Sequence, residues 1–171
     1  MDEMKIGEMY DLTNTIAAEV FEGKTYPWEV LPCIGDFILK LGATLDPAEY
    51  DKKGEDIWIA KSAKIAPTAS ISGPCIIGKN AEIRQCAFIR GKAVVGEGAV
   101  VGNSTELKNV ILFNMVQVPH YNYVGDSILG FRNTTPSVCP WIDWRGCRRS
   151  RSVIRSTVCC TSPGMPRMTD V

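Results

Sequence analysis

At 171 residues the chain has room for one domain with a real core, or for a small domain with an appendage. Its 45% hydrophobic and 22% charged residues are ordinary for a globular protein, no apolar run reaches 18 residues, and "MDEMKIGEMYD" lacks the basic-then-apolar order of a signal peptide. These features exclude a transmembrane helix and point to the cytoplasm. The formal charge is zero, but residues 131–171 hold seven Arg, two Asp and no Lys or Glu, so that segment carries +5 and the remainder −5.

Residues 1–56 read as helical and connecting structure. In "MYDLTNTIAAEVF" the residues Met9, Leu12, Ile16 and Val20 fall on one helical stripe. In "PWEVLPCIGDFILKLG" the residues Leu31, Ile34, Ile38 and Leu41 do the same, and Gly42 can end that helix. Such stripes ordinarily face a core. Among the seven cysteines, Cys33, Cys75 and Cys86 are scattered through the body without CxxC spacing. That pattern reads as buried reduced thiols rather than a zinc site.

Residues 57–118 keep a beat of six. Ile59, Ile65, Ile71, Ile77, Ile83, Ile89, Val95, Val101 and Leu107 recur without exception, and Phe113 takes the next slot. Two places earlier stands a small residue: Ala63, Ala69, Cys75, Ala81, Ala87, Ala93, Ala99 and Thr105. A gap of six suits neither the 3.6-residue turn of a helix nor a hairpin meander. It suits a parallel β-helix whose flat faces each turn one aliphatic inward. Gly73, Gly78, Gly91, Gly96, Gly98 and Gly102 are expected to supply the tight corners. With three faces to a coil, residues 57–130 make roughly four coils, and the open ends expose strand edges that need capping.

The beat fails in "VQVPHYNYVGDSILG", residues 116–130, where the chain's one histidine, His120, follows Pro119. The expectation is a loop projecting from the helix, a usual location for catalytic groups. Beyond Gly130, residues 131–171 show no hexad, alternation or helical stripe, only a bias toward Arg, Ser, Cys, Pro and Trp. This tail reads as an out-of-frame translation or as a disordered basic extension. The spacings among Cys139, Cys147, Cys159 and Cys160 match no usual zinc pattern. Its arginines offer nucleic acid an electrostatic contact but no recognition module, so nucleic acid is not an expected partner.

The hexads resemble those of the hexapeptide-repeat acyltransferases, which fold as left-handed β-helices. Residues 87–130, "AFIRGKAVVGEGAVVGNSTELKNVILFNMVQVPHYNYVGDSILG", more specifically resemble the acetyltransferase domains of bacterial N-acetylglucosamine-1-phosphate uridyltransferase/glucosamine-1-phosphate acetyltransferases and related UDP-N-acetylglucosamine pyrophosphorylase-like proteins. Arg90 in "FIRG" matches the family's arginine, and Glu106 and Lys108 in "TELKN" match its Glu-x-Lys. His120, Tyr123, Gly125 and Asp126 match its His-x-x-Tyr-x-Gly-Asp. The resemblance implies CoA-dependent N-acetyl transfer to a hexosamine-1-phosphate, with acetyl-CoA as donor and His120 as general base. It also implies substrate binding by Arg90, Glu106, Lys108 and Tyr123, with Arg90 and Lys108 on the sugar phosphate, in a homotrimer whose sites lie between subunits. The chemistry is coherent: histidine titrates near neutrality and can take an ammonium proton, while a guanidinium and an ammonium suit a phosphate.

Two family features are missing. No Ile-Gly-Ala-Gly-like segment follows Gly130 to hold acetyl-CoA, and no GxGTRM-type nucleotide loop occurs. The alternative reading is therefore a non-catalytic β-helical module for oligomerisation or sugar-phosphate binding. A γ-type carbonic anhydrase shares the hexads but needs three histidines, which this chain does not have.

Overall fold

A computed structural model describes residues 4–135 and the backbone of Thr157–Val158. Of the basic tail, residues 131–135 and the backbone of Thr157–Val158 are described; the readings of it as out-of-frame, disordered, metal-binding or nucleic-acid-binding otherwise fall on residues outside those described.

The aliphatic beat builds a left-handed parallel β-helix of about four coils. An antiparallel strand, β1 (Tyr50–Lys52), leads into it. The first coil holds β2 (Ile57–Ala60), β3 (Lys64–Ile65) and β4 (Ser70–Ile71), one on each face. The second holds β5 (Cys75–Ile77), β6 (Glu82–Ile83) and β7 (Phe88–Ile89). The third begins with β8 (Ala93–Val95) and β9 (Val100–Val101). It then enters β10 (Glu106–Leu112), a single long strand that spans the third face and the first face of the next coil. β11 (Gln117–Val118) and β12 (Tyr123–Leu129) repeat that pattern. β13 (Thr157–Val158) pairs antiparallel with the end of β12.

Each face stacks one aliphatic column inside. On the first face Ile59, Ile77, Val95, Leu112 and Leu129 lie in register. On the second face the column is Ile65, Ile83, Val101 and Val118. On the third it is Ile71, Ile89, Leu107 and Val124. The small residues Cys75, Ala81, Ala87, Ala93, Ala99 and Thr105 are all fully buried beside these columns. There is no space for a longer side chain where the wall turns.

The beat breaks earlier than the sequence suggests. Val95 pairs with Leu112, not with Phe113, so the coil has lost one residue between Leu107 and Leu112. Phe113 is buried instead among Tyr10 and Phe21, with ring centroids 5.4 and 5.8 Å away. A second residue is lost between Val124 and Leu129. The corners record the same shortening. Left-handed backbone recurs at Asn80, Cys86, Lys92, Gly98 and Ser104, six apart, then steps by five to Asn109 and again from Tyr121 to Asp126. Most of these corner residues carry a Cβ, which costs about 1–2 kcal/mol each in the left-handed region. The glycines were expected to hold these positions, yet Gly78, Gly96 and Gly102 have ordinary φ and serve close backbone stacking between coils. The winding continues past Gly130: Arg132 is another left-handed corner, and Thr134 bridges Gln117.

The N-terminal segment departs from a pair of helices. Only α1 (Ile6–Met9) and α2 (Ile34–Gly42) are α-helical, with four short 3-10 turns between them. Asp11 accepts from the Thr13 amide and Thr15 from the Ala17 amide, which gives the backbone local alternatives to a helix. Pro27 and Pro32 then restrict α2 to the residues after Cys33. Ile16, placed on the first stripe, is exposed, whereas Ile34 and Ile38 on the second are fully buried. The segment packs on the outside of the first face through α2, which lies against β5, β8 and β10, and through Tyr10, whose hydroxyl donates to the Ile128 carbonyl. There it covers an outward column of Trp58, Ile76, Val94, Ile111 and Ile128, which pair in register and are all at least nine-tenths buried. Gly42 lets α2 approach that column, since a Cβ there would stand 2.5 Å from the Trp58 ring. Of the three body thiols Cys75 is buried, Cys33 half-buried and Cys86 exposed, so burial holds fully for only one.

Candidate functional site

Where each coil turns from its third face to its first, successive corners stack, and the matched basic residues meet there. Arg90 follows β7 directly, and Lys108 lies one coil further on, inside β10. They border an open depression of about 310 Å³, together with Gly91, Lys92, Asn109 and Asp126. The Arg90 Nη1 donates to Glu106 Oε1 at 3.0 Å, and Lys108 Nζ stands 3.9 Å from Asp126 Oδ2. Both pairs are substantially exposed, where an ion pair is worth only about 0–1 kcal/mol. An incoming anion therefore competes against weak partners.

Asn109 sits between these pairs. Its Nδ2 donates to Asp126 Oδ1 at 2.7 Å, which fixes the amide orientation. Its Oδ1 is consequently buried with no hydrogen-bond partner among the described residues. Buried acceptors are rarely left so.

Tyr123 and His120 occupy the third face and its far corner. Tyr123 caps the outward column Ser70, Phe88, Glu106, Tyr123, and it is 59% exposed. Its hydroxyl lies over Gly125, where a Cβ would stand only 2.3 Å from it. His120 does not project on a loop. Val118 pairs with Val101 and Val124 with Leu107, so residues 119–122 form a corner of the same length as residues 102–105. Pro119 accepts from Thr105 Oγ1 at 2.7 Å, and the Tyr121 amide donates to Asn103. Gly102 makes the seat, since a Cβ there would meet the Pro119 carbonyl carbon at 2.4 Å and the His120 nitrogen at 2.6 Å. Proline in this position stiffens a regular turn rather than opening an insertion. The imidazole is exposed and stands edge-on to Tyr121, 5.6 Å between centroids.

The structure thus brings Arg90, Glu106 and Lys108 together, with Tyr123 in the column beside Glu106. His120 is at the opposite corner of that face and does not border the depression. Lys92 and Asn109 carry no motif and were missed, and Asp126 was matched without a role. Their common signal is position: residues 92, 109 and 126 are the left-handed residues of one corner column, 17 apart. No group of His, Cys, Asp and Glu among the described residues could hold a metal, and no described helix is long and apolar enough to cross a membrane.

The sequence profile of the GMPPB C-terminal domain family matches residues 71–158, just over half of the chain and reaching into the basic tail. Two curated relatives, each named bifunctional protein GlmU, come from Methanococcus maripaludis strains C5 and S2. Each is 57% identical over 30 residues, which is 18% of this chain and 7% of the relative.

Proposed function

The chain belongs to the GMPPB C-terminal domain family, and from that premise we propose a sugar-phosphate site at the corner of Arg90 and Lys108 that serves CoA-dependent N-acetyl transfer to a hexosamine-1-phosphate. The observation that carries this reading is the depression bordered by cations from successive coils, Arg90 and Lys108. Arg90 and Lys108 hold the phosphate, the first as a fork and the second as a point charge. Glu106 keeps the guanidinium in place, and Tyr123 lies along the third face to orient the sugar. His120 accepts the proton from the sugar ammonium, so that the freed amine adds to the thioester carbonyl and CoA leaves as the thiol. Acetyl-CoA is the donor, and among the described residues no side chain is assigned to hold it. The short, high-identity match to the GlmU proteins supports the chemistry, and the reading places the protein in the cytoplasm as a homotrimer.

A second reading has its own support. Because His120 lies outside the depression that Arg90 and Lys108 border, the chain also fits a β-helical module that binds sugar phosphate without turnover. One assay separates them: thiol release from acetyl-CoA in the presence of glucosamine-1-phosphate, with wild type and His120→Ala. The catalytic reading expects release in the wild type and a loss of about 10²–10⁴-fold in the variant. Unchanged release in the variant removes His120 from the mechanism, and phosphate binding with no release in the wild type selects the module.

A further inference from the structure

We infer that Lys92 is a third phosphate-binding residue of this site and that α2, through Gly35, sets its position; this rests on the sugar-phosphate reading above. Of the three cations on the depression, two are already paired, Arg90 with Glu106 and Lys108 with Asp126. Lys92 is the one with no carboxylate within 4 Å among the described residues. A phosphate monoester carries between one and two negative charges near neutral pH. The charge of each paired cation is partly compensated by its carboxylate, whereas Lys92 supplies uncompensated charge from the start.

The backbone commits Lys92 to this position. Its φ is +51, a corner conformation that a side chain resists, and its carbonyl accepts from the Val110 amide of the next coil at 2.9 Å. From that corner the side chain runs across α2. A Cβ on Gly35 would stand 3.4 Å from the Lys92 Cε and 3.6 Å from its Cδ and Cγ. Gly35 stands in the first turn of the nine-residue α2, where it lacks a side chain on the surface that meets the Lys92 stem. Its presence at 35 leaves a smooth floor for the lysine stem, so a helix with no residue on the depression governs where the ammonium is delivered.

The test is calorimetric titration of the full chain with inorganic phosphate and with glucosamine-1-phosphate. Lys92→Met should weaken both by about tenfold, the order expected for one charge-assisted hydrogen bond. Lys92→Arg, which restores the charge, should recover most of that loss. Gly35→Val intrudes on the stem without reaching the ligand. It should weaken phosphate binding in the wild-type background and have no further effect in Lys92→Met, because the two changes act through one side chain. Wild-type affinity in a Lys92→Met protein of unchanged circular dichroism overturns the inference and leaves the sugar-phosphate reading standing. Additive effects of Gly35→Val and Lys92→Met overturn the role of α2. A wild-type protein that binds neither probe overturns both the inference and the reading it rests on.

Discussion

The first and third faces of the β-helix are cut from the same coils, yet they use their outward side chains in opposite ways. On the first face the outward column is Trp58, Ile76, Val94, Ile111 and Ile128, sealed beneath the N-terminal segment. On the third face it is Ser70, Phe88, Glu106 and Tyr123, left open beside the cations of the corner. The inward columns hardly differ, so the repeat itself sets the scaffold and the outward column assigns each wall its task. An apolar column covered by helix holds the stack rigid. An uncovered column of carboxylate and aromatic side chains can meet a solute.

The largest effect should come from putting a charge on the sealed wall. Val94→Asp places a carboxylate where exposure is zero, between Ile76 and Ile111. Its cost is about 4 kcal/mol or more, enough to remove most of the stability of such a domain in a urea titration. If Val94→Asp unfolds at the wild-type midpoint, the N-terminal segment does not pack on the first face.

Thiol chemistry sharpens the same contrast. Burial in the wall of the first face pushes the Cys75 thiol up to about 12, while Cys86 is exposed at a corner leading to the third face. Above the ordinary thiol value of 9.0 the unfolded chain releases the Cys75 proton and the native chain retains it. Stability contributed by this group is therefore intact below pH 9 and falls as pH rises toward 12, by at most about 1.4 kcal/mol per pH unit. Cys75→Ala, which copies the Ala93 one coil on, should flatten that alkaline slope. In native protein an alkylating reagent should modify Cys86 quickly and Cys75 only through unfolding. Equal rates would mean the wall is open.

The smallest effect belongs to the open face. Phe88→Ala removes a ring that is 37% exposed and flanked by Ser70 and Glu106. It should shift the urea midpoint by the equivalent of about 0.5 kcal/mol or less, the usual range for a surface change. A loss near that of Val94→Asp would show that the third face is covered in solution, as an assembly of copies would cover it.

Much of this was legible in the sequence, because a β-helix writes its interior column as an unbroken period. Ile59 to Leu107 could be assigned to inward positions from spacing alone. The one-residue losses could not, since Phe113 is as apolar as the Leu112 that takes the slot, and spacing cannot tell them apart. The outward column of the first face was equally present, 17 or 18 residues apart, but Ile76 and Val94 look like ordinary neighbours of inward residues until a helix is seen to lie on them. The N-terminal stripe misled for a different reason: 3-10 turns bury apolar residues too, and the side-chain bonds of Asp11 and Thr15 decide which turn forms. At the site, Arg90 and Lys108 were found because they sit one coil apart in recognisable motifs. Lys92 and Asn109 were hidden because their qualification is a corner conformation, which no composition reveals.

Both ends of the stack share one further property. Among the described residues every strand pairing between coils is parallel, but β1 meets β2 antiparallel at one end and β13 meets β12 antiparallel at the other. A stack of parallel coils is in principle a polymer, since the last coil presents to any passing molecule the same edge that it offered to its predecessor. A reversed strand alters the spacing of donors and acceptors on that edge. Over the residues they cover, β1 and β13 act as chain terminators, allowing a fold made by repetition to remain one molecule long.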